Sequence, residues 1–143
     1  MIKYFASVIF LFIVDRLAKI YAVKKTLDND GGFIDLHINP NIAFSIPLPT
    51  VILYPLVIIA LFILIYFWLK SLSKKSILIW PWGLLIVGAF SNLLDRFYYQ
   101  GVVDFINVPF FTVFNLADIY ISLAVIWILY YELIFSRSKE VSK

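Results

Sequence analysis

Residues 51–69, VILYPLVIIALFILIYFWL, form an uninterrupted apolar stretch that contains no charged side chain. As an α-helix, a stretch of this length rises roughly 28 Å, which matches the ~30 Å hydrocarbon core of a bilayer. A helix that is apolar on every face needs lipid or a large protein core around it. The chain has only 143 residues, and 63% of them are hydrophobic, which is more than a soluble chain of this size can bury. The stretch therefore predicts a membrane-spanning helix.

Three further apolar stretches are long enough to cross a bilayer, although each contains charged residues. They are residues 4–23, 77–96 and 111–135. Together with residues 51–69 they predict an all-α membrane protein with four transmembrane helices. The length leaves no room for a second unit, so we expect a single integral membrane domain over residues 1–143.

The connections at about 24–50 and 97–110 are the two longer links between these helices. Residues 31–46 alternate apolar and polar side chains and include Gly31, Gly32 and Pro40. Such a pattern indicates short strands and turns. We therefore expect a small extracytoplasmic β-containing region between helices one and two.

Basic residues near the helix ends predict the orientation in the membrane. Lys70, Lys74 and Lys75 lie between helices two and three without a neighbouring acid, whereas the basic residues at 24–25 are followed by aspartates. Lysine and arginine are enriched in cytoplasmic loops. Both termini and the loop at 70–75 are therefore expected in the cytoplasm, with the two longer connections outside.

The residue types that are missing exclude several kinds of chemistry. The chain has no cysteine and a single histidine, His37. A cysteine nucleophile, a thiolate metal site, a Ser/His pair and a zinc site of the HExxH kind are therefore excluded. The net charge of +3 is modest and indicates no nucleic-acid partner. The remaining reactive groups are carboxylates, amides, hydroxyls, lysines and arginines.

Polar residues of helices three and four, and of the outer connection between them, gather at one depth near the predicted outer interface. They are Asn92, Asp95, Arg96, Asp104, Asn115 and Asp118. The i, i+3 spacing of both Asn-x-x-Asp pairs places each pair on one helix face. Asp15 and Lys19 are spaced i, i+4 on a face of helix one that can turn inward. Because ionisable groups are costly in a membrane, such a cluster indicates a site or a set of structural pairs.

Two carboxylates are the obvious catalytic pair in a chain with this composition. Two aspartates held close together cannot both ionise readily, so they share a proton at neutral pH. The ionised member can take a proton from water, and the protonated member can polarise a carbonyl under attack. This chemistry requires neither a metal nor a cofactor.

Five short blocks resemble those of the bacterial lipoprotein signal peptidases, the signal peptidase II family. They are Asp15-Arg16-Leu17-Ala18-Lys19, Asn39-Pro40-Asn41-Ile42-Ala43-Phe44, Asn92-Leu93-Leu94-Asp95-Arg96, Gly101-Val102-Val103-Asp104-Phe105 and Phe114-Asn115-Leu116-Ala117-Asp118. The resemblance covers nearly the whole chain. It implies that Asp104 and Asp118 are the catalytic aspartates. It also implies that further residues bind substrate or support the site: Asn39, Arg96, Asn115, Asn92, Asp95, Asp15 and Lys19.

The resemblance also implies the reaction and the location. The substrate would be a prolipoprotein whose cysteine already carries diacylglycerol, and cleavage would occur just before that cysteine. The enzyme would lie in the bacterial cytoplasmic or inner membrane, in contact with lipid, with its active site near the outer face. We expect a monomer, because the substrate must enter the site between helices.

Other readings of the same residues stay open. Asp95 and the adjacent Arg96 are predicted to form an ion pair that fixes structure, and Asp15 with Lys19 is predicted to be a second structural pair. Buried charges also suit a small ion or solute transporter subunit. A catalytically inactive relative that binds signal peptides is the third alternative, since Asn41 occupies a position that is usually glycine in the family.

Overall fold

The computed structural model describes residues 2–27, 34–41, 48–109 and 112–141, and within them the chain forms helices and three short strands. The elements in chain order are α1 (Ile2–Leu27), β1 (Ile34–Asn39), α2 (Thr50–Ser73), α3 (Ile79–Tyr99), β2 (Val102–Val108), β3 (Thr112–Phe114) and α4 (Leu116–Val141). Each of the four predicted apolar stretches is helical over most of its length.

The predicted start of the fourth helix, residue 111, is wrong. Residues Thr112–Phe114 form strand β3, and α4 begins only at Leu116. An apolar run alone does not distinguish a strand from the first turn of a helix. The first helix also continues to Leu27, beyond the predicted end at residue 23.

The strands form one antiparallel sheet in the order β1-β2-β3. Asn39 lies opposite Val102, and His37 lies opposite Asp104. The strand predicted between helices one and two is confirmed by β1, while residues 31–33 and 42–46 of that predicted region lie outside the described residues. The expected location of the β region was incomplete, because β2 and β3 follow α3 and supply two of the three strands.

Helix α3 is the central helix, since it packs against α1, α2 and α4. Its contact with α4 is close at Gly88. A Cβ atom at this position would lie 2.6 Å from the carbonyl oxygen of Ala117 and 2.6 Å from the side chain of Ile121. The absence of a side chain at residue 88 therefore sets how near the first turns of α4 come to α3.

Among the residues that the structure describes, two helical segments are long and apolar enough, by length and composition, to cross a membrane. They are Thr50–Ser73 and Leu116–Phe135. In the middle of α1 the charged side chains turn inward, because Asp15 and Lys19 are 0% and 1% exposed, while Phe10 and Leu17 are 64% and 60% exposed. The surface of this part of α1 is thus apolar although its sequence carries charges, which is the pattern expected of a helix surrounded by lipid.

The close contact at Gly88 predicts that Gly88→Ala destabilises the protein. The added methyl group meets the backbone of α4, which cannot move aside as a flexible side chain can, and overpacking of this kind costs about 1–3 kcal/mol. Thermal unfolding of the purified protein in detergent measures the effect.

Gly83→Ala is the matched control in the same helix. A Cβ atom there lies 3.0 Å from a side-chain methyl of Val8, which can shift. The gain of up to about 1 kcal/mol in helix propensity offsets the crowding. Equal melting temperatures for the two variants would contradict the close α3–α4 contact.

Candidate active site

The first turn of α4 is closed by a reciprocal pair of hydrogen bonds. The backbone N–H of Asp118 donates to Oδ1 of Asn115 at 3.0 Å, and the backbone N–H of Asn115 donates to Oδ2 of Asp118 at 3.2 Å. Asn115 therefore acts as the N-cap, and Asp118 occupies the third helical position of a capping box. The Asn-x-x-Asp spacing seen in the sequence is thus the capping motif that begins α4. It places the Asp118 carboxylate at the positive end of the helix dipole.

Asp104 lies on the central strand of the sheet and is buried. Its Oδ1 accepts a hydrogen bond from the side-chain amide of Asn115 at 2.7 Å, and its Oδ2 accepts one from the side-chain amide of Asn39 at 3.4 Å. The sheet register explains the second contact, because the antiparallel pairing of β1 with β2 brings Asn39 to the same end of the sheet. Strand β2 and helix α4 therefore present their carboxyl groups to a common neighbour, Asn115.

Asn92 of α3 connects this pair of carboxyl groups to helix α1. Its Nδ2 donates to Oδ1 of Asp118 at 2.9 Å. Its Oδ1 accepts from Nζ of Lys19 at 2.9 Å and from the amide of Asn115 at 3.3 Å. One asparagine side chain therefore contacts both the support residues of α1 and the candidate catalytic residues of α4.

A buried ionic cluster lies behind Asn92. Nζ of Lys19 lies 3.1 Å from Oδ2 of Asp15 and 2.6 Å from Oδ2 of Asp95. Asp95 also pairs with Arg16. Two cations and two carboxylates balance one another, which is the condition under which buried charges are tolerated. The predicted Asp15–Lys19 pair is confirmed.

The prediction that Asp95 forms an ion pair with Arg96 is wrong. In the part of the chain that the structure describes, Asp95 makes its ion pairs with Arg16 and Lys19. Adjacent residues of a helix point in different directions, so a sequence neighbour is poorly placed as a partner. The guanidinium of Arg96 instead donates to the backbone carbonyls of Asn92, at 3.2 Å, and of Asn41, at 3.1 Å.

Two residues of the cluster were not among the candidate site residues, Arg16 and Ser91. Oγ of Ser91 donates to Oδ2 of Asp15, and Arg16 contacts both Ser91 and Asp95. An arginine in the middle of an apolar stretch was the signal available for Arg16. Ser91 gave no comparable signal, because a serine side chain is common in helices that pack closely.

Asp15 also joins α1 to the start of α4. Its Oδ1 accepts a hydrogen bond from the backbone N–H of Ala117 at 2.9 Å. This amide lies in the first helical turn and has no partner within its own helix. The bond therefore ties the capping turn that carries Asp118 to the ionic cluster.

The environment of Asp104 changes its acidity. Its pKa is raised from 3.8 to about 6, mainly because burial disfavours the charged form and also because Asp118 is a nearby negative charge. The hydrogen bonds from Asn115 and Asn39 favour the carboxylate and oppose this rise. Asp104 is therefore partly protonated near neutral pH, as general acid–base chemistry requires.

The structure brings the predicted site residues together. Eight of them form one hydrogen-bonded and ion-paired network: Asn39, Asp104, Asn115, Asp118, Asn92, Lys19, Asp15 and Asp95. Arg96 borders the network through the backbone of Asn92. Within the described ranges, no group of three or more His, Cys, Asp or Glu side chains is arranged to hold a metal ion.

The amino-acid sequence is similar to those of known lipoprotein signal peptidases. The chain is similar to the lipoprotein signal peptidase of Sulfurovum sp. (strain NBC37-1), with 38% identity over 126 residues that cover 83% of this chain and 84% of the relative. It is also similar to the lipoprotein signal peptidase of Pelagibacter ubique (strain HTCC1062), with 30% identity over 152 residues, 95% of this chain and 90% of the relative.

A solved structure and a family definition extend the comparison to the fold. A bacterial membrane enzyme solved by the in meso method at 2.3 Å resolution aligns with a TM-score of 0.84 and 27% identity, covering 97% of this chain and 92% of that chain. Residues 7–135 match the family described as Signal peptidase (SPase) II. The chain belongs to the signal peptidase II family.

Proposed function

We propose that the chain is an aspartic endopeptidase that removes signal peptides from diacylglyceryl-modified prolipoproteins by cutting before the lipidated cysteine. One observation carries the proposal. Asp104 and Asp118, from different elements, both bind Asn115, one through its side-chain amide at 2.7 Å and the other through its backbone amide at 3.2 Å. Two carboxyl groups held near each other can act as the acid and the base in hydrolysis of a peptide bond.

The pair acts as a unit in the proposed mechanism. One proton is shared by Asp104 and Asp118, because ionising the second carboxyl next to the first is unfavourable. A water bound between the two carboxyls loses a proton to the ionised member as its oxygen attacks the scissile carbonyl. The protonated member donates to the carbonyl oxygen, and a tetrahedral intermediate results. Return of a proton to the leaving amide nitrogen then breaks the C–N bond.

The amides around the pair hold it in position during these steps. Asn115 and Asn39 donate to Asp104, and Asn92 donates to Asp118. Each carboxyl oxygen thereby has a defined direction, which reduces the reorganisation needed in the transition state. The aspartates keep their remaining lone pairs for water and substrate.

We propose that all four helices cross the membrane and that the pair lies near the outer interface. The inward orientation of the α1 charges and the apolar surface of that helix support four spans, as do the two segments that are apolar enough on their own. The sheet that carries Asp104 continues from the end of α3 opposite the Lys70–Lys75 loop. With that loop in the cytoplasm, the pair faces outward.

The lipid part of the substrate suits a site at this depth. A spanning signal peptide reaches the pair only from the side, between helices, while its diacylglyceryl group remains in the bilayer. Phe90 is 44% exposed on α3, one residue before the ionic cluster begins. Apolar surface therefore lies next to the polar site, as a substrate with both characters requires.

The geometry gives no support to the transporter reading. The charges form a closed cluster with matched partners. The buried residues of α2 are Leu53, Leu61, Trp68 and Ser71. A relay across a membrane needs ionisable groups along its path. The inactive relative is distinguished from the enzyme by the first experiment below.

Asp104→Asn and Asp118→Asn are each expected to reduce the rate of cleavage of a diacylglyceryl-modified precursor by roughly 10³-fold or more, because neither variant retains a carboxyl pair. Cleavage by the purified variants is measured on gels, with an unmodified precursor as the substrate control. Glu132→Gln, an exposed acid on α4, is the matched control and keeps full activity. Persistent cleavage by both aspartate variants would rule out the pair.

The stability of the protein is expected to depend on pH through Asp104. Its pKa is raised in the folded protein, so the stability that this group contributes is complete below pH ~3.8 and is lost as the pH rises towards about 6. The melting temperature of Asp104→Asn, relative to the wild type, therefore increases between pH 4 and pH 7. Parallel melting curves at both pH values would contradict the raised pKa.

The proposed topology is testable because the chain has no cysteine. In spheroplasts, a membrane-impermeant maleimide is expected to label Tyr98→Cys, at the outer end of α3, without permeabilisation. Lys74→Cys, between α2 and α3, is expected to react only after the membrane is opened. The cysteine-free parent is the blank. The reverse pattern of labelling would show that the site faces the cytoplasm.

A further inference from the structure

The two asparagines beside the aspartate pair have amide groups whose direction is fixed by their neighbours. The backbone N–H of Asp118 can only donate, so it binds Oδ1 of Asn115 and leaves Nδ2 of Asn115 for Asp104. A lysine ammonium likewise has donors and no acceptor. The bond from Nζ of Lys19 to Oδ1 of Asn92 therefore turns Nδ2 of Asn92 towards Asp118.

Lys19 holds this direction firmly because it is itself immobilised. Its side chain is 1% exposed, and its ammonium binds three groups, Oδ2 of Asp15, Oδ2 of Asp95 and Oδ1 of Asn92. If Asn92 were reversed, its carbonyl oxygen would face the Asp118 carboxylate and its amide would face the ammonium. Both contacts would then be repulsive, so the buried cation determines the orientation.

We propose that Lys19 is a positioning residue for the reaction. It directs the side-chain amide of Asn92 at Asp118, and its charge sets the pH range in which the aspartate pair holds one proton. The inference rests on the proposed function of the pair. It assigns to Lys19 an effect on the chemistry in addition to its structural ion pairs. The effect operates through Asn92, since no contact of Lys19 with either catalytic carboxyl is needed.

The charged and titratable side chains around the pair lie on α1, α3 and β1. Asp15 and Arg16 lie on α1 with Lys19, Asp95 and Arg96 lie on α3, and His37 lies opposite Asp104 on β1. Lys19 bonds to the side-chain amide of Asn92, whereas Arg96 bonds to the backbone carbonyl of Asn92. The positive charge of Lys19 opposes the rise in the pKa of Asp104 that burial and Asp118 cause. Removal of this charge is therefore expected to move the pH–rate profile to higher pH.

The experiment uses double variants, because removing Lys19 alone leaves two buried carboxylates with one cation. Asp15→Asn serves as the reference background, and a further substitution of Lys19 then leaves Arg16 paired with Asp95. Adding Lys19→Gln removes the ammonium charge but keeps an N–H donor for Asn92, whereas adding Lys19→Met removes both. The pH dependence of kcat and of KM is measured for all three proteins with a diacylglyceryl-modified precursor.

Both double variants are expected to show profiles displaced by roughly 0.5–1 pH unit to the alkaline side of the reference, from the loss of a nearby opposite charge. The Met variant is also expected to lose at least a further 10-fold in kcat, with KM changed little, because Asn92 is no longer held. Profiles that superimpose on the reference, in variants with its melting temperature, would overturn the proposal.

If the double variants do not fold, a measurement on the unaltered protein tests the same proposal. In protein labelled with ¹⁵N in its lysine side chains, the side-chain resonance of the buried Lys19 is expected to shift as the aspartate pair titrates. A resonance that does not follow the pair would equally overturn the role of Lys19. Cleavage that persists in Asp104→Asn would instead remove the proposed function itself, so the two failures are distinguishable.

Discussion

The ion pairs of Lys19 are the interaction on which the rest of the structure depends. A buried ammonium is stable only when carboxylates surround it, and here one comes from α1 and the other from α3. Asp15 then reaches the backbone of α4, and Asp95 accepts a hydrogen bond from the backbone of Val103 at the start of β2. The same charges therefore position both elements that carry the proposed catalytic aspartates. Neither aspartate can move far without disturbing a charge that has no access to water.

The site also uses interactions that every helix needs. The start of a helix leaves backbone N–H groups without partners, and a capping box satisfies two of them. In α4 the box is made by Asn115 and Asp118, so the proposed catalytic carboxylate is at the same time a cap. Catalytic position and helix stability are therefore coupled at this residue. A substitution at Asp118 needs to keep a hydrogen-bond acceptor if the fold is to survive.

Much of this arrangement could be predicted from the sequence. Apolar runs of bilayer length gave the four helices, and i, i+3 and i, i+4 spacings placed the polar residues on shared faces. The start of α4 could not be predicted in this way, because Thr112–Phe114 is as apolar as the helix that follows and its pairing with β2 depends on distant register. The partner of Asp95 was missed for a similar reason. Sequence proximity suggested Arg96, whereas helix packing brings Arg16 from 79 residues away.

The order in which the chain is synthesised gives the Asp15–Lys19 cluster a further consequence. Helix α1 is synthesised before the partners of its buried charges. Asn92, which binds Lys19, follows it by 73 residues, and Ala117, which binds Asp15, follows it by 102 residues. Until α3 is made, these groups have only each other and Arg16 for neutralisation. In the proposed four-span topology, the first helix therefore reaches its final environment in the bilayer only after the third and fourth helices have been made and can pair with its charges.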